Sequence, residues 1–235
     1  MNKLAFTLAE VLITLGIIGV VAAMTLPTLV KDIQGQERQA QLKAGYSILI
    51  QGLKNMQAEN GYAVVPAHYD RGASFYPEYK KGFNKIFDCG VVPLNSDLCM
   101  SRANTQNDTS PFNTDLVYKT LNGNNMSTDY FDDGQFILSN GMLVMIDNCP
   151  GTSYILLSID LNGKSNSPNR LGQDLFTFQL MPDGNLLPMG ASGTHYESQA
   201  TYCSFSSSSN LNGIGCTYKA LTDKTYWKNL KNKSL

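Results

Sequence analysis

Hydrophobic residues concentrate at the start of the chain, where one apolar run extends from Phe6 to Leu26. Glu10 is the only charged residue between Phe6 and Val30. A helix of about 20 apolar residues spans a bilayer, so the run predicts a transmembrane helix. A carboxylate at membrane depth costs a few kcal/mol and is seldom found there without a partner. No Lys or Arg lies nearby on the same helix face, so we expect the partner of Glu10 to come from another copy of the chain.

The positions after this run follow a helical period. Apolar residues recur at steps of 4, 3, 4 and 3, at Leu42, Tyr46, Leu49, Leu53 and Met56. This stripe predicts that residues 28–60 continue the helix with one apolar face. The helix is expected to stop at Asn60-Gly61, because both residue types tolerate the left-handed cap conformation. Three glycines are expected to weaken it locally: Gly35, Gly45 and Gly52.

From Gly134 the pattern changes to that of strands. Two apolar runs flank Asn140-Gly141, which is a strong hairpin signal. Residues 154–160 form another apolar run, and residues 175–181 and 186–188 flank a Pro-Asp-Gly-Asn turn. Together these elements predict an α+β fold, in which the long helix packs against an antiparallel sheet of about four or five strands.

The composition bears on what the protein binds and on where it is located. The chain has 235 residues, with 18 basic and 19 acidic side chains and a formal net charge of −1. This balance gives no indication of nucleic-acid binding across the whole surface. The part after the apolar helix is rich in Asn, Ser, Thr, Gly and Tyr, which is typical of an exported surface protein.

Five cysteines occur, at positions 89, 99, 149, 203 and 216, and none forms a Cys-x-x-Cys pair. In an exported domain disulfides are the default state. Neighbours in sequence suggest the bonds Cys89–Cys99 and Cys203–Cys216, which leaves Cys149 over. The connectivity stays open at this point, because any of the five could be the free thiol.

The first residues add a more specific signal. A short basic segment, Met1-Asn2-Lys3-Leu4-Ala5, runs straight into Phe6; Glu10 follows Phe6 by four residues, and Pro27 ends the apolar run. This arrangement resembles the leader and first helix of type IV prepilins and of type II secretion pseudopilins. The resemblance implies cleavage between Ala5 and Phe6 by a prepilin peptidase, N-methylation of Phe6, and a helix kink at Pro27. Family members usually carry Gly before the cut, where this chain has Ala5.

The resemblance also implies a fold and a function. It implies a pilin-like head with a disulfide-bounded C-terminal loop, for which the segment from Cys203 to Cys216 is the candidate. The protein would be a structural subunit of a type IV pilus or secretion-like filament, with other copies or related subunits, the peptidase and the membrane as partners. The protein would first cross the cytoplasmic membrane once, with its N-terminus on the cytoplasmic side, and would then enter an extracellular or periplasmic filament. Adhesive or motile pili, secretion pseudopili and DNA-uptake pseudopili all remain open.

The expected division of the chain follows from these signals. Its parts are a leader (1–5), a transmembrane or filament-core helix (6–27), an amphipathic continuation (28–60) and a globular head (61–235). The head comprises an irregular region with one or two short helices (61–133), the sheet (134–190), and a C-terminal loop and tail (191–235).

Physical chemistry supports the assembly role of Glu10. Cleavage would free an ammonium group on Phe6, and in a staggered helix stack this group could meet Glu10 of a neighbouring subunit. Leaving one member of a buried ion pair alone is costly, so the pair would penalise a wrong register. Three alternatives stay open: a secretory signal peptide cut after Ala22-Ala23, a plain membrane anchor, and a monomeric membrane-anchored extracellular binding module.

Other candidate chemistry is weaker. Asp160, Asn162 and Asp174 place oxygen side chains around a glycine-containing loop, which could hold calcium; the alternative is a polar turn. No other cofactor is predicted. The two histidines and the Asp132-Asp133 pair form no recognisable catalytic motif, so no enzymatic activity is expected.

The C-terminal segment from Lys219 onward carries five lysines with Tyr226 and Trp227. Such a basic, aromatic patch could touch DNA or an anionic surface. The favoured interpretation is a solvated segment with one or two aromatic side chains docked on the head. No nucleic-acid partner is expected, unless the filament serves DNA uptake.

Overall fold

A computed structural model describes residues 7–69, 74–83, 87–91, 98–100, 117–126, 131–148, 151 and 153–230. It contains one long helix, α1 (Leu8–Asn60), and the short helices α2 (Tyr76–Tyr79), α3 (Gln199–Tyr202), α4 (Thr217–Thr222) and α5 (Tyr226–Asn229). The strands are β1 (Phe87–Gly90), β2 (Gln135–Ile137), β3 (Leu143–Asp147), β4 (Ile155–Asp160), β5 (Leu175–Leu180) and β6 (Leu186–Pro188). This composition confirms the α+β class.

Helix α1 is uninterrupted over 53 residues, and Pro27 lies inside it. It ends where the Asn60-Gly61 pair predicts a stop. Gly61 has φ 74° and donates its N–H to the carbonyl oxygen of Gln57 at 2.9 Å, a backbone conformation that glycine adopts without strain. The kink at Pro27 stays a prediction.

The six strands form one antiparallel sheet in the order β1 to β6. Both predicted hairpins are confirmed: β2 pairs with β3 across the Asn140-Gly141 turn, and β5 pairs with β6 across residues 182–185. Strands β4 and β5 are buried along their whole length. They can be buried throughout because both faces of the sheet are covered.

One face packs against the apolar stripe of α1. Leu42, Leu49, Leu53 and Met56 belong to the same buried cluster as alternate residues of the central strands. The ring of Tyr46 stacks on Phe178 with centroids 4.8 Å apart. The opposite face is covered by residues 117–126 and by the segments around Phe131 and Ile214. The amphipathic half of α1 is therefore part of the core of the head.

The three glycines expected to weaken α1 are sites where the head approaches the helix closely. A Cβ added at Gly35 would lie 3.0 Å from Trp227, one at Gly45 would lie 2.9 Å from Ile159, and one at Gly52 would lie 2.2 Å from Phe83. Real Cβ atoms require more room than these distances allow. Close packing against the head is therefore a specific structural reason for these helix-weakening residues.

Two parts of the fold go beyond the predicted elements. The sheet has six strands, where about four or five are expected. The additional strand, β1, lies in the region expected to be irregular. Strand β1 is held by Asp88, which accepts hydrogen bonds from the Tyr76 hydroxyl and pairs with Lys80. The C-terminal loop and tail also contain the helices α3, α4 and α5.

Candidate functional site

The first half of α1 is uncovered. All side chains from Leu8 to Pro27 are exposed except Ala22, which is half-buried. Among the described residues, α1 is the one helix long and apolar enough to cross a membrane, and none of its apolar window is buried inside the structure. An apolar surface of this size is unusual in water and marks contact with a membrane or with other protein.

Glu10 has a partner within its own chain. Its backbone N–H donates to Thr7 Oγ1 at 3.3 Å, while its Oε2 accepts from the Thr7 N–H at 2.9 Å and from the Thr7 hydroxyl at 2.8 Å. This reciprocal arrangement is a capping box, which satisfies backbone donors at a helix N-terminus. The signal of this cap is present in the sequence as Thr-x-x-Glu, although it was not among the expected features. A second copy is therefore not needed to give Glu10 a hydrogen-bond partner.

The predicted cleavage and methylation positions, Ala5 and Phe6, lie outside the described residues, as does Cys149. The disulfides Cys89–Cys99 and Cys203–Cys216 are both present in the structure. They join residues 10 and 13 positions apart.

Two side chains of the head hold the segment that follows the first disulfide. Lys164 is buried and donates its Nζ to the carbonyl oxygen of Cys99 at 3.0 Å. Gln135 brackets the next residue: its Oε1 accepts from the Met100 N–H at 2.9 Å, and its Nε2 donates to the Met100 carbonyl oxygen at 3.0 Å. These bonds fix a short segment that has no regular secondary structure.

Asp160, the first calcium candidate, is fully buried at the end of β4. Its Oδ1 accepts from the backbone N–H groups of Asn162 at 3.2 Å and Gly163 at 3.0 Å. Its Oδ2 accepts from the hydroxyl of Tyr118 at 2.6 Å. The side chain therefore holds the turn after β4 and attaches residues 117–126 to it.

Asp174, also buried, plays the matching part at the other end of the same loop. Its Oδ2 accepts from the Asn169 N–H at 2.8 Å, and its Oδ1 accepts from the Arg170 N–H at 2.6 Å. The pairing of Asp160 with Leu175 across β4 and β5 brings the two carboxylates to the same end of the sheet. The loop of residues 161–173 is thus fastened at both ends by a buried carboxylate.

Burial raises the pKa of Asp160 to about 7, and the negative charge of Asp174 adds to this rise. Burial likewise raises the pKa of Asp174. Two buried carboxylates at one end of the sheet disfavour a state in which both are ionised, and the hydrogen bonds that they accept oppose this effect. Burial and the neighbouring charge therefore both favour the protonated form of Asp160.

The fit to calcium is mixed. Asn162 Oδ1 is buried without a hydrogen-bond partner, and it is an oxygen of the kind that calcium prefers. Calcium takes about six to eight oxygen ligands, however, and both carboxylates already serve backbone donors. In the described ranges, no three or more His, Cys, Asp or Glu side chains are grouped to hold a metal ion. Calcium at Asp160, Asn162 and Asp174 stays a prediction.

The aromatic residues of the C-terminal segment are docked on the head. Tyr226 and Trp227 are 7% and 8% exposed. The Tyr226 hydroxyl donates to the carbonyl oxygen of Gly172 at 2.6 Å, and Trp227 Nε1 donates to the carbonyl oxygen of Ala220 at 2.9 Å. These rings cannot stack on nucleic-acid bases without leaving the core, so the geometry favours the docked interpretation over the stacking one.

The histidines lie in separate aromatic environments. The ring of His68 contacts Tyr62, while that of His195 contacts Tyr154 and Tyr196. The absence of enzymatic activity stays a prediction.

Comparison of the chain with protein-family models, with curated proteins and with solved structures found no match.

Proposed function

We propose that this chain is a structural subunit of a filament of the type IV pilus or type II secretion kind, processed before Phe6 and assembled through α1. The division of α1 into two halves carries the proposal. The second half lies in the core of the head, whereas the first half is apolar, exposed and interrupted by one charge. A helix with this division can cross a bilayer first and then pack against the same segment of other subunits.

In this assembly the ammonium group of a processed Phe6 would approach Glu10 of a neighbouring subunit. Glu10 lies in the first turn of α1, so its carboxylate is near the helix N-terminus, where negative charge is favourable. Its exposure in the single chain leaves it accessible to a neighbour. The prepilin peptidase would act while the leader faces the cytoplasm and the head lies on the other side of the membrane.

A second candidate is a monomeric membrane-anchored extracellular binding module. The capping box favours it, because Thr7 supplies Glu10 with hydrogen bonds that need no second subunit. The two candidates differ in what Glu10 contacts, and both place α1 in the membrane.

Two measurements test the proposal. Sequencing the N-terminus of the membrane-bound protein is expected to show a start at Phe6, whereas a start at Met24 would indicate a signal peptide and refute it. Chemical crosslinking in membranes is expected to yield dimers and longer species of the processed chain. A chain that starts at Phe6 but stays monomeric at the highest expression level would favour the anchored module.

Calcium binding is a separate proposal with its own test. If calcium is bound by Asp160 and Asp174, adding calcium should raise the melting temperature of the head, because a ligand that binds the folded state stabilises it. The rise should disappear in Asp174→Asn. An unchanged melting temperature in the wild type at millimolar calcium would refute the site.

A further inference from the structure

The head contacts α1 in a definite order along the helix. Phe83 packs at Gly52, Ile159 packs at Gly45, and Gln39 donates to the carbonyl oxygen of Ala220 in α4 at 3.5 Å. Helix α5 follows, because Trp227 packs at Gly35. Of the described elements that pack on α1, α5 is thus the one nearest to the apolar half.

One contact reaches further still. Lys228 Nζ lies 3.5 Å from Asp32 Oδ2. Asp32 is two residues beyond Val30, the last residue before the charged positions begin, and Gly35 is five residues beyond it. At a rise of about 1.5 Å per residue, these separations correspond to about 3 Å and 7.5 Å along the helix axis.

These distances place α5 relative to a bilayer. The headgroup region adds roughly 5 to 7 Å on each side of the hydrocarbon core. The apolar segment ends between Pro27 and Val30, so Asp32 lies about 3 to 7.5 Å beyond its end, and the Lys228–Asp32 contact of α5 lies at the depth of the headgroups. This placement rests on the membrane insertion of α1 in the proposed function, and it holds for a single subunit as well as for one that later enters a filament.

Basic side chains are presented at this depth. Lys224 and Lys228 are exposed and line a shallow groove of about 40 Å³ with Asp32, Gly35, Gln36, Gln39 and Trp227. Acidic side chains lie beside both lysines: Asp32 pairs with Lys228, and Asp223, the residue before Lys224, accepts at its Oδ1 from the Thr225 N–H at 2.8 Å. In the sequence, Lys231 and Lys233 follow, outside the described residues.

Lys228 lies in α5 and Lys224 lies two residues before it, so both lysines are attached to a fixed element. Trp227 is buried against Gly35, and Tyr226 is bonded to the Gly172 carbonyl oxygen, so α5 is held on the head from both sides. A docked helix presents its lysines to a surface with little further loss of backbone freedom.

We propose that α5 and the preceding Lys224 form a contact surface for anionic phospholipid headgroups, with the Lys224 and Lys228 ammonium groups bound to lipid phosphate oxygens. The contact would hold the head against the bilayer while the apolar half of α1 is still in the membrane. Each lysine near an anionic lipid surface contributes about 1 kcal/mol, which corresponds to roughly fivefold in binding. The interaction should weaken with salt, since exposed charges are screened.

The test uses the full chain reconstituted into vesicles of phosphatidylcholine alone or of phosphatidylcholine with about one third phosphatidylglycerol. Alkaline carbonate extraction first shows whether α1 is inserted. Trp227 is the single tryptophan of the chain, so its fluorescence reports on α5. Headgroup-labelled nitroxide lipid should quench it in both vesicle types. An amine-reactive reagent and mass spectrometry then measure how fast individual lysines are modified.

We expect Lys224 and Lys228 to be modified about fivefold more slowly in the anionic vesicles, with the protection lost at high salt. Lys54 is exposed on α1, 24 residues beyond Val30, and should react equally in both vesicle types. Inorganic phosphate added to the zwitterionic vesicles should give no protection, because an isolated phosphate lacks the array of charges that a lipid surface offers.

A matched pair of variants separates this surface from a general charge effect. Lys228→Gln removes the exposed charge of α5, and Lys54→Gln removes an exposed charge elsewhere, on α1. Lys228→Gln should reduce the salt-sensitive protection of Lys224, and Lys54→Gln should leave it unchanged. Equal modification of Lys224 in both vesicle types in carbonate-resistant protein, or protection by free phosphate, would overturn the proposal. Extraction by carbonate would instead refute membrane insertion and with it the proposed function.

Discussion

Glu10 offers the sharpest perturbation, because the two candidate functions give it different partners. In the structure its Oε2 accepts two hydrogen bonds from Thr7. Replacing an N-cap residue such as Thr7 by Ala costs about 1 kcal/mol. Gln is as suitable as Glu at the third position of a capping box, so Glu10→Gln should leave the cap nearly intact. If capping is the whole role of Glu10, Thr7→Ala is the more damaging change.

The filament hypothesis reverses this order. Removing one partner of a buried ion pair costs about 3 to 5 kcal/mol, because the other charge stays buried and unpaired. Glu10→Gln would leave a neighbour's ammonium group without its carboxylate and should lower the association constant by roughly 100- to 4,000-fold. Thr7→Ala keeps the carboxylate and should lower it by less than about tenfold.

Crosslinking in membranes, quantified at equal expression, measures both variants against the wild type. Glu37→Gln is a matched control, because it makes the same chemical change at an exposed position of α1 beyond the apolar run. N-terminal sequencing of each variant shows whether processing has been altered as well. If Glu10→Gln forms the same crosslinked species as the wild type while Thr7→Ala does not, Glu10 acts as a cap and the assembly role is refuted.

Three further predictions concern the head. Gly52→Ala should lower its free energy of unfolding by about 1 to 3 kcal/mol, since an added Cβ would collide with an aromatic ring, whereas Gly16→Ala should leave its melting unchanged. Replacing Cys203 and Cys216 by Ser should lower the free energy of unfolding in urea by about 3 kcal/mol, because the disulfide joins residues 13 positions apart and so closes a short loop. Burial raises the pKa of Asp160 in the folded state above its value of 3.8 in the unfolded chain. The stability that the protonated side chain contributes is therefore fully present below about pH 4 and is lost as the pH rises through about 7. Asp160→Asn should therefore flatten the pH dependence of thermal stability; an unchanged pH profile in that variant would contradict the assignment.

The sheet was largely predictable because its turns are local. The Asn140-Gly141 turn and residues 182–185 each join strands that are adjacent in the sequence, so neighbouring residues determine the pairing. Strand β1 gives no such signal. It has four residues, and it is held by side chains of α2 and by the Cys89–Cys99 disulfide, which are contacts that only the folded chain brings together.

The candidate sites divide in the same way. The capping box at Thr7 and Glu10 is a four-residue signal and could have been found. The joint burial of Asp160 and Asp174 could not, because it depends on the register of β4 with β5. Helix α5 has four residues, too few to be stable alone, so its position depends on the packing of Trp227 at Gly35.

The exposed apolar half of α1 needs to be covered, and Glu10 is the residue that can make a neighbouring subunit a better cover than lipid. Fourteen large apolar side chains between Leu8 and Ile33 are exposed. At about 1 kcal/mol each for partial burial, covering them is worth on the order of 10 to 15 kcal/mol, which is comparable to the stability of a whole domain. Contact with lipid or with other protein is therefore strongly favoured over water for this segment.

Lipid tails and a neighbouring helix satisfy those apolar side chains almost equally, so they contribute little to a choice between the two. Glu10 is different. In lipid its carboxylate has only the hydrogen bonds from Thr7 of its own chain, whereas a neighbour with a free ammonium group offers an ion pair. Under the proposed function, the apolar residues keep the segment out of water and Glu10 sets the preference for a neighbour over lipid. Glu10→Gln should accordingly leave membrane insertion intact while reducing association, and a variant that lost both together would contradict this division of roles.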